Sequence, residues 1–311
     1  MRPFPDGAEE RFKGFADKFS FCGEPYEADV ILGQPDIETV KRCKNLKWLQ
    51  ITSAGADGYA ACPDAFNGIR LTTVSGAFGQ SIAEWTLTLT LALYKNLHLF
   101  RDNQNRAIWQ DVGAQDSPVG KNVLILGCGD LGSSIARIFR PFHCHIEGIR
   151  RHAAADIPDG FDEVYTVDAL DERLSRADIA VGVLPGTKET KGLLSRRRLS
   201  LMNKDAVVIN AGRGSLIDLS ALYDMLKEGR LRGAALDVTD PEPLPKDHPL
   251  WTLPNCIITP HVSGGSFGHL RATEEKIYEI CRENLRRFLA SEPLLNELDF
   301  ESGYRSIRNR Y

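Results

Sequence analysis

Short runs of β-branched and aliphatic residues alternate with polar or amphipathic stretches along most of the chain. "ADVILG" (28–33), "LKWLQIT" (46–52) and "RLTTV" (70–74) read as buried strands in the first hundred residues. From residue 122 the rhythm tightens, with "NVLILG", "HIEGIR", "DIAVGVL", "AVVIN", "GAALDV" and "CIITP" separated mostly by helical or loop segments. Strands alternating with helices pair in parallel and are covered on both faces, so the pattern predicts a doubly wound α/β sheet. "TLTLTLALY" (86–94) is ambiguous, because its period of two argues for a strand. Against that, "SIAE" (81–84) has the form of a capping box, with the Ser81 hydroxyl accepting from the Glu84 amide. The run also continues through "KNLHLFRDNQNRAIW", too long for one strand. The reading adopted is a long helix over roughly 82–105, with a domain boundary near its end.

A chain of 311 residues has room for about two domains, each with its own core. Hydrophobic residues at 42% and charged residues at 26% are ordinary for a globular protein, and a formal charge of -4 offers no basic field for nucleic acid or an acidic membrane. The longest uncharged apolar stretch near a helix, Trp85 to Tyr94, is too short to cross a bilayer, and the first residues lack the apolar core of a signal peptide. Seven cysteines, at 22, 43, 62, 128, 144, 256 and 281, form no C-x-x-C pair and are odd in number. That usage suits a reducing compartment, and a cytoplasmic location is expected.

"GCGDLG" places Gly127, Gly129 and Gly132 between the strand "NVLIL" and the amphipathic "SSIARIF". The first glycine permits a tight turn, the second lets backbone approach a pyrophosphate, and the third lets helix and strand pack closely. With a strand before it and a helix after it, the motif predicts a dinucleotide site; a Gly-rich loop without ligand is the competing reading. An Asp or Glu about 20 residues on would hold the ribose 2′-hydroxyl of NAD. Here the second strand gives way instead to Arg150 and Arg151, and Glu147 lies inside it. Guanidinium forks suit a phosphate dianion, which favours NADPH over NADH; two solvated arginines are the alternative.

Three other strings carry less. "HCH" (143–145) with Glu147 could share one strand face as metal ligands, but with no second ligand cluster the residues read as an ordinary strand entrance and no metal is expected. "GGSFG" (264–268) has the form of a hydrolase nucleophile elbow, yet only His269 follows it, too close for a triad. "SRRRLSLM" (195–202) reads as a solvated basic helix face.

Four further strings, "VLPGTKETKGLLS" (183–195), "INAGRGSLID" (209–218), "ALDVTDPEPLP" (235–245) and "ITPHVSGG" (258–265), together with "GCGDLG" resemble the D-isomer-specific 2-hydroxyacid dehydrogenases. "SAGADGY", "VSGAFGQSIAEWTL" and "NLRRFLASEPLLNELD" are most similar to the glyoxylate/hydroxypyruvate reductase-like branch. The resemblance spans about residues 28–300. It implies two doubly wound parallel-sheet domains, a Rossmann cofactor domain over 99–284 and a flavodoxin-like substrate domain over 1–98 and 285–311, with an interdomain cleft. It also implies hydride transfer from NADPH, or NADH, to a small 2-keto acid, and a homodimer.

Such chemistry needs a cation for the carboxylate and carbonyl, an acid for the developing alkoxide, and a group that tunes the acid. The family motifs place these roles on Arg213, His261 and Glu242, with Glu242 expected to raise the pKa of His261. The alternative for each is structural: a loop cap, a strand-end histidine and a surface acid. Family substrate-loop amides fall on Ala54 and Gly55. Dinucleotide contacts fall on Gly127, Cys128, Gly129, Asp130, Leu131, Gly132, Arg150, Arg151, Leu184, Pro185 and Thr190. The nicotinamide end falls on Ala211, Gly212, Asp237, Ser263 and Gly264. Trp48, Phe78 and Trp109 are candidates for shaping a substrate pocket, with core packing favoured for Trp48. Two departures stand out. The first 21 residues do not read as the family's opening strand, so the first sheet is expected to be shortened or differently edged, and Thr239 replaces a bulky apolar residue. A nucleotide-sensing scaffold of the same fold is the alternative function; intact Arg213, Glu242 and His261 weigh against it.

Overall fold

The computed structural model describes residues 4–5, 7–15, 18–153, 156–301 and 304–305. The chain divides into two compact units, Met1–Phe78 with Gly265–Tyr311, and Gly79–Gly264.

In the first unit, β1 (Val30–Leu32), β2 (Trp48–Gln50) and β3 (Arg70–Thr72) form a parallel sheet in chain order, with α1 (Ile37–Arg42) and α2 (Asp57–Ala60) between them. No strand precedes Val30 among the described residues, in line with a shortened first sheet; Ala8–Phe15 is a 3-10 helix instead.

The second unit opens with α3 (Gly79–Tyr94) and α4 (Leu97–Asn105) and is built on seven parallel strands. These are β4 (Asn122–Leu126), β5 (His145–Arg150), β6 (Glu163–Thr166), β7 (Ile179–Gly182), β8 (Val207–Asn210), β9 (Gly233–Leu236) and β10 (Cys256–Ile258). Between them run α5 (Asp130–Phe139), α6 (Leu170–Leu174), α7 (Arg196–Leu199) and α8 (Leu219–Lys227). The order β10-β9-β8-β7-β4-β5-β6 reverses between β7 and β4, so ligand-binding loops are expected beyond the carboxyl ends of those strands. The chain closes in the first unit with α9 (Arg271–Leu289) and the short antiparallel pair β11 (Leu298–Asp299) and β12 (Tyr304–Arg305).

Three expectations are corrected. The single helix over 82–105 is two helices, broken at Asn96, whose φ of +54° leaves the right-handed helical region. The capping box does not form: α3 already begins at Gly79, and the Ser81 hydroxyl donates to the Ser263 carbonyl at 2.6 Å. The units divide at 78/79 and 264/265, not at 98/99 and 284/285, because α3 packs with the second unit and the whole of α9, not only its last turn, with the first. A Cβ on Gly79 would lie 2.4 Å from Ser134 Oγ, so α3 sits tightly on α5. Buried Asn284 of α9 donates to Gln50 Oε1 at 2.7 Å, and Phe288 stacks on Trp48 in the first unit. β6 also exists where the alternation showed none; it is a four-residue edge strand with no fully buried residue.

Candidate active site

The turn after β4 has the shape the glycines require. Gly127 takes φ +117°, and a Cβ on Gly132 would fall 1.8 Å from the Gly127 carbonyl oxygen, so the first turn of α5 lies directly on the loop. Gly129 caps α5 with no side-chain hydrogen bond and has nothing within 4 Å of an added Cβ. An uncapped helix start above open space fits a pyrophosphate, with the amides of Asp130, Leu131 and Gly132 at the first turn as donors. The Asp130 carboxylate lies 3.2 Å from where a Gly79 Cβ would stand. Cys128 is packed over Gly148, and burial pushes its thiol up to about 12, so it contributes contact surface and not a thiolate.

Strand β5 runs through Arg150, which pairs with Thr166. The largely buried Arg150 guanidinium stands 4.0 Å from the exposed Asp156 carboxylate. Arg151 neighbours the loop after β7: the Thr187 hydroxyl, with Arg151 and Lys188 adding to it, holds the Glu189 carboxyl below its ordinary value. Arg151 and Lys188 thus both act on Glu189, while Arg150 faces Asp156. Thr190 shapes the loop itself, its hydroxyl donating to the Pro185 carbonyl at 2.6 Å and accepting the Thr187 amide at 2.9 Å. Leu184 lies against the next loop, since a Cβ on Gly212 would meet the Leu184 carbonyl oxygen at 2.7 Å.

The Arg213 loop is pinned by Asn210, a buried side chain that donates to the Arg213 carbonyl at 2.9 Å and accepts the Gly212 amide at 3.2 Å. Ala211 continues β8 by donating its amide to the Gly182 carbonyl at 3.0 Å. The Arg213 side chain leaves alongside Gly186 and donates to the Gly212 carbonyl at 2.8 Å. A Cβ on Gly214 would strike the Thr239 backbone at 2.0 Å, so the arginine loop and the loop after β9 are in direct contact. Thr239 is buried where an apolar residue was expected, and its hydroxyl shapes the approach to Glu242 by donating to the Pro241 carbonyl at 2.8 Å.

His261 follows β10 at φ +54°, a strained conformation for a residue with a Cβ. Its Nδ1–H donates to Glu242 Oε1 at 2.6 Å, while Nε2 has no hydrogen-bond partner among the described residues. Both side chains are 43% exposed, so the pair is reachable. The backbone around it is held by Asp237, only 2% exposed. Asp237 Oδ1 accepts the Thr259 hydroxyl at 2.5 Å and the Val262 amide at 2.9 Å, and Oδ2 accepts the Ser263 amide at 2.9 Å. Asp237 and Ser263, expected at the nicotinamide end beside Gly264, are thus bonded to each other; the sequence carried no sign of this network.

Ala54 and Gly55 lie in the other unit, in a loop where Gln34 donates to Ser53 Oγ and Ser53 donates to the Gly55 carbonyl, each at 2.7 Å. Trp48 is core, donating from Nε1 to Thr72 at 2.8 Å. Phe78 is also buried, and Trp109 is fully exposed.

The metal reading needs one correction. His143 is off the strand, but His145 and Glu147 of β5 are joined by Glu163 of β6, and one ligand atom from each lies within 4.8 Å of the others. Glu147 is engaged by Arg173 Nη1 at 3.1 Å and Glu163 by the Tyr165 hydroxyl. These residues open the strands, at the edge opposite the glycine turn. The "GGSFG" segment is a run of turns, without the strand–turn–helix of an elbow. In "SRRRLSLM", Arg197 and Arg198 pair with Asp171 at 2.6 and 2.7 Å, and Arg196 pairs with Asp224.

Comparison with known proteins decides what this arrangement belongs to. Residues 87–263, all in the second unit, match "D-isomer specific 2-hydroxyacid dehydrogenase, NAD binding domain". The chain belongs to the D-isomer-specific 2-hydroxyacid dehydrogenase family. It is 33% identical over 271 residues to a putative 2-hydroxyacid dehydrogenase of Haemophilus influenzae, covering 83% of this chain and 84% of that one. A solved D-isomer specific 2-hydroxyacid dehydrogenase of Xanthobacter autotrophicus, in complex with NADPH and MES, is 30% identical with TM-score 0.78, covering 93% of this chain and 89% of that one. An NADPH-dependent glyoxylate/hydroxypyruvate reductase of Sinorhizobium meliloti, in complex with NADP and sulfate, is 26% identical with TM-score 0.76, covering 88% and 85%. The family is one of oxidoreductases with a nicotinamide cofactor, and the chain is an NAD(P)-dependent 2-hydroxyacid dehydrogenase. No helix among the described residues is long and apolar enough to cross a membrane.

Proposed function

We propose that the protein reduces a small 2-keto acid such as glyoxylate or hydroxypyruvate to the D-2-hydroxy acid, with NADPH preferred over NADH. The observation that carries this reading is the 2.6 Å bond between His261 Nδ1 and Glu242. It fixes the tautomer and leaves Nε2 as the atom that donates a proton to the carbonyl oxygen and recovers it in the reverse direction. Glu242 orients the imidazole ring through the bond it already makes. Arg213, on a loop braced by Asn210, binds the substrate carboxylate and polarises the carbonyl. Reduced nicotinamide, when bound, supplies the hydride. Arg150 and Arg151 hold the 2′-phosphate, which is the basis of the NADPH preference. The same reading has the protein working as a cytoplasmic homodimer with no metal.

A panel of small 2-keto acids, each with NADPH and with NADH, followed at the nicotinamide absorbance, tests the proposal. Turnover of glyoxylate or hydroxypyruvate, faster at low NADPH than at low NADH, is the expected result. No turnover of any 2-keto acid, with cofactor still bound, would favour the scaffold alternative.

A further inference from the structure

The loop that carries His261 is held from two sides. Directly after β9, Asp237 accepts the Val262 and Ser263 amides on its carboxylate, and its backbone carbonyl accepts the His261 amide at 2.8 Å. From the first turn of α3, the Ser81 hydroxyl donates to the Ser263 carbonyl at 2.6 Å, and both serines are buried. Ser263 is therefore fixed at its N–H by one element and at its C=O by another. Two residues earlier, His261 stands in the left-handed region, which the surroundings must enforce. The helix that supplies the hydroxyl is itself seated: Gly79 presses against Ser134 of α5, the helix that opens at the glycine turn.

We propose that Ser81 is a positioning residue for the acid–base histidine: by fixing the Ser263 peptide it holds the turn at His261 and aims Nε2 at the substrate oxygen. This rests on the reading of His261 as the proton donor. A hydroxyl with this role acts mainly on the geometry of proton transfer, because its bond goes to the backbone of the histidine loop and any effect on cofactor affinity passes only through the Ser263 peptide. Misplacement of a catalytic group by about 1 Å can cost a factor of about 100 in rate.

The test compares Ser81→Ala, Ser81→Thr and His261→Ala in the full chain, with glyoxylate and NADPH as probes. In Ser81→Ala, kcat is expected to fall about 10- to 100-fold while the KM for glyoxylate, the NADPH Kd from fluorescence titration and the melting temperature stay close to wild type. Ser81→Thr, which keeps the hydroxyl, is expected to recover most of the loss. Without any ligand, the downfield proton resonance of His261 Nδ1–H is expected to shift or broaden in Ser81→Ala. A wild-type kcat in Ser81→Ala beside an inactive His261→Ala would overturn the positioning role alone. So would a joint fall of kcat, glyoxylate affinity, NADPH affinity and melting temperature with no recovery in Ser81→Thr, which marks a purely structural bond. A wild-type rate in His261→Ala would instead remove the acid–base reading, and the histidine resonance would still report whether Ser81 holds the loop.

Discussion

The two edges of the seven-stranded sheet are made from the same kinds of residue and differ in how those residues are committed. At the opening edge, His145 Nε2 lies 3.4 Å from Glu147 and 3.7 Å from Glu163, and its Nδ1 lies 3.7 Å from Asp162. Each carboxylate there already has another partner: Glu147 has Arg173, Glu163 has Tyr165, and Asp162 has Arg140 and the Ile146 amide. The network ties β5, β6 and α6 together. At the closing edge, His261 has one carboxylate on one nitrogen, an exposed side chain, and a backbone held by groups that do not engage the ring. A histidine–carboxylate contact is therefore not itself a sign of chemistry. What separates the edges is that one contact is closed upon itself and the other leaves a ring nitrogen without a hydrogen-bond partner among the described residues.

The comparison breaks most sharply at the two histidines. His261→Ala is expected to lower kcat by a factor of about 1,000, the range of a lost general acid, with NADPH binding retained, while His145→Ala leaves kcat within about twofold. Steady-state rates of the two variants check this, and equal losses would erase the distinction between the edges. Arg173→Met leaves the buried Glu147 carboxylate without its cation, and a stability loss of about 2–3 kcal/mol is expected in urea unfolding, with kcat of the surviving folded protein unchanged. Replacing Arg150 and Arg151 together by Ala should weaken NADPH about 10- to 100-fold and NADH much less, as isothermal titration would show; equal losses would remove the 2′-phosphate assignment. The smallest effect is expected at Asp162. Burial alone pushes its carboxyl upward, but the Ile146 amide and Arg140 outweigh it and hold it below its ordinary value. A depressed carboxyl adds stability above its unfolded pKa of about 3.9 that is lost as pH falls through the folded value. Asp162→Asn should thus cost about 1 kcal/mol at neutral pH and progressively less in acid, measured as the difference between denaturant midpoints.

Nine strands were readable because their apolar runs are buried, as in β4, β7, β8 and β9, or at least bounded by turn residues. β6 escaped because "EVYT" is a sheet edge with an exposed first residue, and edge strands are stabilised by one neighbour more than by composition. The break at Asn96 escaped because one left-handed residue ends a helix without disturbing its apolar periodicity. Ser81 misled in an instructive way: serine followed three residues later by glutamate has the local chemistry of a cap, but a partner 182 positions away, the Ser263 carbonyl, took the hydroxyl. The glycine turn and the Arg213, Glu242 and His261 strings were legible as motifs. The Asp237 clamp was not, since an aspartate closing a strand has no local pattern to say which amides it will accept.

The sequence by itself determined the parallel architecture of the larger sheet and the glycine turn after β4, because both follow from short-range rules: periodicity fixes burial, and a glycine's missing Cβ fixes how near two backbones can come. Only the tertiary structure decided that Asp162 and Glu163 gather around His145, which helix belongs to which unit, and what Ser81 does. Those depend on hydrogen bonds between residues far apart in the chain, and a buried donor takes whatever acceptor the packing brings within reach.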